Sequence, residues 1–293
     1  MKFCRPLLIL CLAIPLYAFA GIKVKDATGM TVILEKPARR IVSLAPHITE
    51  MLYAAGAGSH VVGAVEYSDY PEAAKDIPRV GSGAGLDLEA IVALRPDLIV
   101  AWQSGNPTWQ VERLRTLGFS IYVTEPRRMQ DIAKDIERLG QLAGTSAVAD
   151  KASRVFLDEY RKLRDRYAQR PKVTVFYQIL DPSLMTVNGD HLVSEVIRLC
   201  GGYNIFSDLP ILASAVGSEA VLQANPKVIV AGGTQSAWRR WRAYWRRWTQ
   251  LDAVRNNQLY LIRAELIHRH SPRILEGSKI LCEALEQSRS ERK

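Results

Sequence analysis

The sequence predicts an α/β protein of two Rossmann-like lobes, each on a central parallel sheet, joined by one long α-helix with a ligand cleft between the lobes. Three observations carry that expectation. A thirteen-residue stretch occurs twice: Glu89-Ala-Ile-Val-Ala-Leu-Arg-Pro-Asp-Leu-Ile-Val-Ala101 returns as Glu219-Ala-Val-Leu-Gln-Ala-Asn-Pro-Lys-Val-Ile-Val-Ala231, with six identities. Helical patterns alternate with β-branched apolar runs, the order expected of parallel strands covered on both faces. Residues 146–169 contain no Pro or Gly, and Val148, Ala152, Val155, Phe156, Tyr160, Leu163 and Tyr167 recur at helical spacing.

In chain order, residues 31–34 read as a short strand and 40–46 as a buried one. Thr49-Glu50 opens a helix through Ala55 that Gly56 stops. Strands are expected at 61–65, 98–102 and 121–123, with helices at 86–94 and 109–117. The linking helix ends before Pro171. The second half repeats the order: strand 173–179, helix 192–199 stopped by Gly201-Gly202, helix 219–224, and strands 228–231 and 259–262. A final helix covers about 272–286. The expected division is 1–20 as a removable leader, 21–145 as the N-terminal lobe, 146–170 as the linking helix and 171–293 as the C-terminal lobe.

The chain of 293 residues is long enough for two domains with separate cores. Lys2 and Arg5 precede an apolar run from Leu7 to Ala20 ending in Ala18-Phe19-Ala20, the pattern of a cleavable secretory signal cut before Gly21. The run is shorter than the roughly 18 to 20 residues a spanning helix needs, and Leu10 before Cys11 is too large for a lipoprotein site. An exported, periplasmic protein is expected. The net charge of +9 stays basic without the leader, and nucleic acid is a poor candidate partner for an exported chain. Of the four Cys, only Cys200 and Cys282 lie beyond the leader. In an oxidising compartment they are expected to pair, two separate free thiols being the alternative.

Several segments resemble a known family: Arg40-Ile-Val-Ser-Leu-Ala-Pro46 with Thr49-Glu50 and Ala54-Ala-Gly56, then Tyr67-Ser-Asp-Tyr-Pro71, Leu88 to Asp97, Leu199-Cys-Gly-Gly202 and Ser271-Pro-Arg273. Together, over nearly all of 39–286, they resemble the periplasmic cobalamin-binding proteins of bacterial ABC importers, within the helix-linked solute-binding proteins for cobalamin, haem, siderophores and some metals. The resemblance implies a monomer with no catalytic residues and no cofactor, whose bound ligand is cobalamin or a related corrinoid. It implies that Glu89 and Glu219, one per lobe, dock into basic pockets of the membrane permease. Without the family, both read as acids at helix starts, which the helix dipole favours.

The resemblance also assigns ligand contacts. Tyr67 and Trp102, each just after a strand, match aromatics whose flat faces suit a corrin ring. Glu265, Leu266, Ile267, His268 and Arg269 match the ligand loop of the second lobe. Here the chain departs from its relatives: Leu266 and Ile267 stand where the best-known members have Trp and Phe, and Gly83, Ile179 and Ala213 replace three further aromatics. Trp109 is a candidate to compensate. His268 and His270, with His47 and Tyr67, could ligate the metal of a corrinoid or haem, or could simply be loop histidines bonded to backbone or solvent. No Cys-rich or His-x-x-His cluster marks a preformed metal site.

Residues 238–248 form a second unusual segment. Trp238, Trp241, Trp245 and Trp248 share one helical face, with Arg239, Arg242 and Arg246 beyond its edge. Such a helix either buries Trp245 and Trp248 against the sheet of the second lobe and leaves its Arg solvated, or lies on a membrane, the permease or nucleic acid. Gly81-Ser-Gly-Ala-Gly85 has the wrong spacing for a dinucleotide site and reads as a flexible turn. Two other ligands, haem and a ferric siderophore, stay open. So do two other classes, an exported tetrapyrrole-processing enzyme using His268, His270 or Glu265, and a membrane-surface module.

Overall fold

The computed structural model of the chain describes residues 21–82, 85–179 and 184–290. The leader expected over 1–20 and the substituted aromatic position Gly83 lie outside the described residues. The N-terminal lobe opens with a hairpin of β1 (Ile22–Lys25) and β2 (Thr31–Leu34). Next come β3 (Ile41–Ser43), α1 (Pro46–Ala54), β4 (Val61–Ala64), the small hairpin β5 (Gly81–Ser82) and β6 (Gly85–Leu86), and α2 (Leu88–Ala93). The lobe is completed by β7 (Leu98–Trp102), α3 (Thr108–Thr116), β8 (Ile121–Thr124) and α4 (Met129–Ala143). Helix α1 starts three residues before the expected Thr49, because Pro46 has a φ preset for the first helical turn and lacks the N–H that would be orphaned there.

β4, β3, β7 and β8 lie side by side in that order, all parallel. Ile41, Leu98, Val100 and Tyr122 pack on one face with α1 and α4; Val42, Ile99, Ala101 and Val123 pack on the other with Ile91 of α2 and Leu114 of α3. Burial on both faces explains why these strands read as continuous apolar runs. α4 falls where no element was expected, although Ile132, Ile136, Leu139 and Ala143 mark its buried face and Gly144, at φ 70°, closes it.

α5 (Ser146–Tyr167) is the long linking helix, 22 residues and so about 33 Å long. It packs along α4 at Gly140, where any side chain would collide with Ala149, and Ser153 donates to Glu137 (2.6 Å). Its other end enters the C-terminal lobe, where Tyr160 and Tyr167 are buried. That lobe runs through β9 (Val173–Ile179), β10 (Met185–Val187), α6 (Leu192–Leu199), β11 (Gly202–Asn204), β12 (Ala213–Ala215) and α7 (Ser218–Ala224). It ends with β13 (Val228–Gly233), α8 (Gln235–Arg246), α9 (Asp252–Arg255), β14 (Leu259–Arg263), α10 (Ala264–Ile267) and α11 (Ile274–Ser290).

β11, β9, β13 and β14 are parallel, whereas β10 and β12 add an antiparallel edge to this sheet. The two repeat copies fold alike, as α2 into β7 and α7 into β13. In each the residue before the shared Pro is left-handed, Arg95 at φ 46° and Asn225 at φ 41°. Cys200, at the end of α6, is disulfide-bonded to Cys282 of α11, closing a separation of 82 residues. No helix among the described residues is long and apolar enough to cross a membrane.

Candidate functional site

Parallel α/β lobes place functional loops at the carboxyl ends of their strands, and here those ends face each other. From the N-terminal lobe come His47 and Glu50 of α1, the turn Tyr67 to Asp69 after β4, and Trp102 at the end of β7. From the C-terminal lobe come His191 at the start of α6 and the loop His268 to Arg273 after α10. Tyr67 is 75% exposed and takes φ 63°, a region sparsely populated for an aromatic residue. Trp102 is half-buried and meets His47 edge-on, with ring centroids 4.9 Å apart.

One guanidinium joins the two sides. Arg269 Nη1 donates to Glu50 Oε1 (2.9 Å) and Asp69 Oδ1 (2.7 Å), and Nη2 donates to the Tyr67 carbonyl (2.9 Å). Glu50, buried in α1, also accepts from Ser271 Oγ (2.6 Å) and Arg273 Nη1 (3.3 Å). A carboxylate removed from water requires such partners. Arg269 thereby fixes the backbone turn that presents Tyr67. Together its partners hold the Asp69 carboxyl below the usual range, with burial opposing them.

Histidines line the same junction. His270 lies 5.6 Å from His47, 5.4 Å from His191 and 5.7 Å from Trp102 between ring centroids. His268 Nε2 shares a hydrogen bond with Tyr177 OH (2.7 Å), and its ring occupies the space that a side chain at Gly232 would need. His191 Nδ1 accepts from the Val193 N–H (3.1 Å). Burial, then Arg269, lowers the His47 pKa to about 3. Burial lowers His268 to about 4, and burial with His268 and Arg127 lowers His191 to about 4. His270 is pushed well down by burial and then by the other three imidazoles. All four rings are therefore neutral near pH 7. His47 Nε2 and His270 Nδ1 are buried without a hydrogen-bond partner. Among the described residues, no group of three or more His, Cys, Asp or Glu is arranged to hold a metal ion.

The expected ligand loop divides. His268 and Arg269 reach the junction, whereas Leu266 and Ile267 are buried in the core with Ile274 and Leu281 and support the loop from beneath. Glu265 is tied to Arg263 Nε (2.6 Å). Glu89 and Glu219 are both exposed, each in the first turn of its repeat helix. Trp109 is 69% exposed on α3. Sequence reasoning missed the roles of Glu50, Asp69 and His191. A Glu inside the apolar run Ile48 to Leu52 was a visible signal of a buried carboxylate needing cationic partners.

Residues 41–266 match the model of a family described as periplasmic binding protein. A Vibrio cholerae protein named vitamin B12-binding protein is 39% identical over 256 residues, 85% of this chain and 90% of that protein. A Yersinia pestis protein of the same name is 39% identical over 248 residues, 85% of this chain and 86% of that protein. The crystal structure of the periplasmic vitamin B12 binding protein of Vibrio cholerae superposes with a TM-score of 0.81 at 38% identity, covering 86% of this chain and 98% of that one. A periplasmic heme-binding protein from Roseiflexus shares the fold, with a TM-score of 0.76 at 23% identity and coverage of 86% and 99%.

Proposed function

The chain belongs to the periplasmic binding protein family, and from that premise we propose that it captures cobalamin or a related corrinoid between its lobes and delivers it to an ABC importer in the inner membrane. Residues 1–20 act as the removable export leader, and 21–145, 146–170 and 171–293 serve as first lobe, linking helix and second lobe. The observation that carries the reading is the pairing of Tyr67 and Trp102 at the strand ends with Arg269 opposite, in a chain so similar to vitamin B12-binding relatives. The aromatic faces of exposed Tyr67 and half-buried Trp102 take up the apolar corrin plane, while His268, Arg269 and Glu265 serve its polar side chains. The two unpartnered imidazole nitrogens of His47 and His270 are available to amide groups of the ligand once the junction opens.

Glu89 and Glu219 act as the permease-docking pair. Each stands exposed with no salt-bridge partner among the described residues, one per lobe, so two matching cationic pockets would fix the orientation of the whole molecule. Imidazoles held at about 3 and 4 are poor proton acceptors near neutral pH, which favours binding without catalysis. The protein acts as a monomer.

Titration calorimetry with cyanocobalamin and cobinamide tests the assignment. Stoichiometric binding of one of them at micromolar concentration, weakened about tenfold by Trp102→Ala, is the expected result. Absence of binding to both, with binding of haemin instead, would transfer the assignment to haem. The histidine-rich junction, less aromatic than in the best-known cobalamin binders, is the observation that favours that second reading.

A further inference from the structure

Helix α8 carries a feature the cleft does not use. Continued at 3.6 residues per turn through the two residues after α8, Trp238, Trp241, Tyr244, Trp245 and Trp248 fall on one side, while Arg239, Arg240, Arg242, Arg246 and Arg247 share an arc of roughly 160° on the other. The aromatic side is turned inward: Trp241 and Trp245 are buried, and both indole N–H groups donate to Gln178 Oε1 (2.8 and 3.0 Å). The outward side is basic, with Arg239, Arg246 and Arg247 exposed.

No acidic residue occurs in α8. Among the described residues no carboxylate pairs with Arg239, Arg242, Arg246 or Arg247; Arg242 donates instead to the neutral Asn257 Oδ1 (2.7 Å) and Arg247 to the Tyr244 carbonyl (3.3 Å). α5 is different, since its Arg161 and Lys162 are paired with Asp158 and Glu159. Two guanidiniums of α8 are held over aromatic rings, Arg242 over Trp238 (5.5 Å) and Arg247 over Tyr244 (4.7 Å). That ordering reduces the side-chain freedom lost when an anion is bound.

We propose that this face of α8 binds the anionic phospholipid surface of a bilayer. The guanidiniums of Arg239, Arg242, Arg246 and Arg247, which no carboxylate among the described residues pairs, match a broad lattice of phosphates, to which a guanidinium can donate two hydrogen bonds. Half-buried Trp238, Tyr244 and Trp248 border the row, residue types that favour the headgroup layer. The buried indoles are held by Gln178, so the helix rests on the headgroups without inserting. α7, which carries Glu219, shares its apolar layer with α8 through Val221 and Leu222.

The test is cosedimentation of the chain from Gly21 onward, which contains every described element and lacks the apolar leader, with vesicles of phosphatidylglycerol and phosphatidylcholine or of phosphatidylcholine alone. Binding to the anionic vesicles only, lost at high salt and without a blue shift of Trp emission, is expected. Each arginine near such a surface strengthens binding about fivefold, so R239Q/R246Q/R247Q lowers it roughly a hundredfold, whereas R239K/R246K/R247K retains it. Circular dichroism confirms that the variants are folded. Absence of vesicle binding by the unaltered chain overturns the proposal, as does equal binding by the glutamine variant. Loss of permease capture without any vesicle binding would overturn it in favour of an acidic protein surface. The vesicles contain neither permease nor corrinoid, so their failure to bind would leave the proposed transport function standing.

Discussion

Arg269 Nη1 lies 2.9 Å from Glu50 Oε1, closing a guanidinium of the C-terminal lobe onto a carboxylate of the N-terminal lobe where both side chains are largely removed from water. Ser271 and Arg273 complete the set around Glu50. The junction is thus an ionic and hydrogen-bonded contact whose members depend on one another.

Glu50→Ala leaves two guanidiniums without their shared acceptor. Removing one member of a buried ion pair costs about 3 to 5 kcal/mol, and urea denaturation is expected to show a loss of that size. A loss below about 1 kcal/mol would mean that water replaces the carboxylate at little cost.

Acid acts on the histidines. An unfolded histidine takes up its proton near 6.5, whereas His191 and His268 in the folded protein do so only at about 4 and His47 only at about 3. Between those limits the unfolded chain binds more protons, so stability is full above about pH 6.5 and falls as the pH drops. Each histidine contributes a slope of about 1.4 kcal/mol per pH unit. Arg269 faces His47 and Arg127 faces His191, and both add to the effect. Urea midpoints measured from pH 7.5 to 5 are expected to decline, with the Asp135 carboxyl, pushed up to about 7 by burial, offsetting about one histidine's share because the folded state takes up that proton first, and His47→Gln should make the decline shallower. A flat profile would contradict the burial of these rings.

The disulfide between Cys200 and Cys282 closes a loop of 82 residues. In the chain-entropy account such a loop contributes about 4.5 kcal/mol. C200A/C282A should lower the denaturation midpoint accordingly and leave ligand stoichiometry unchanged, because neither residue approaches the cleft loops. Unchanged stability would show that α6 and α11 hold the closure without the bond.

For Glu89 and Glu219, the double replacement E89A/E219A should leave corrinoid affinity within about twofold and cut uptake by permease-containing proteoliposomes more than tenfold. Uptake at the unaltered rate would remove both residues from the docking surface.

Much of this architecture was legible because it is periodic. The repeat led directly to α2 with β7 and α7 with β13, and a stretch without Pro or Gly led to α5. β10, β11 and β12 have three residues each, too few for an alternating pattern to stand out, so parallel β11 and the antiparallel edge of β10 and β12 went unread. At the junction, Tyr67 and Trp102 were singled out from their place after strands, and Arg269 through the family resemblance. Leu266 and Ile267 could not be sorted from the ligand side, because a four-residue helix following a strand turns its apolar face toward whatever lies beneath, and Ile274 and Leu281 of α11 lie there. The bond between Arg269 and Asp69 spans 200 positions, a distance over which no local pattern carries information.

Strand β9 gives neighbouring residues to opposite sides of the C-terminal lobe. Tyr177 bonds to His268 on the cleft side, and Gln178 receives the two indoles of α8 on the outer side. Tyr177 is paired with Val230 in β13, so both attachments share one register. A single-residue insertion or deletion ahead of Tyr177 would exchange the two faces, presenting an amide to the imidazole and a phenol to the indoles. Ligand cleft and basic helix would then fail in the same event, and no shift of this strand can retune one surface while sparing the other.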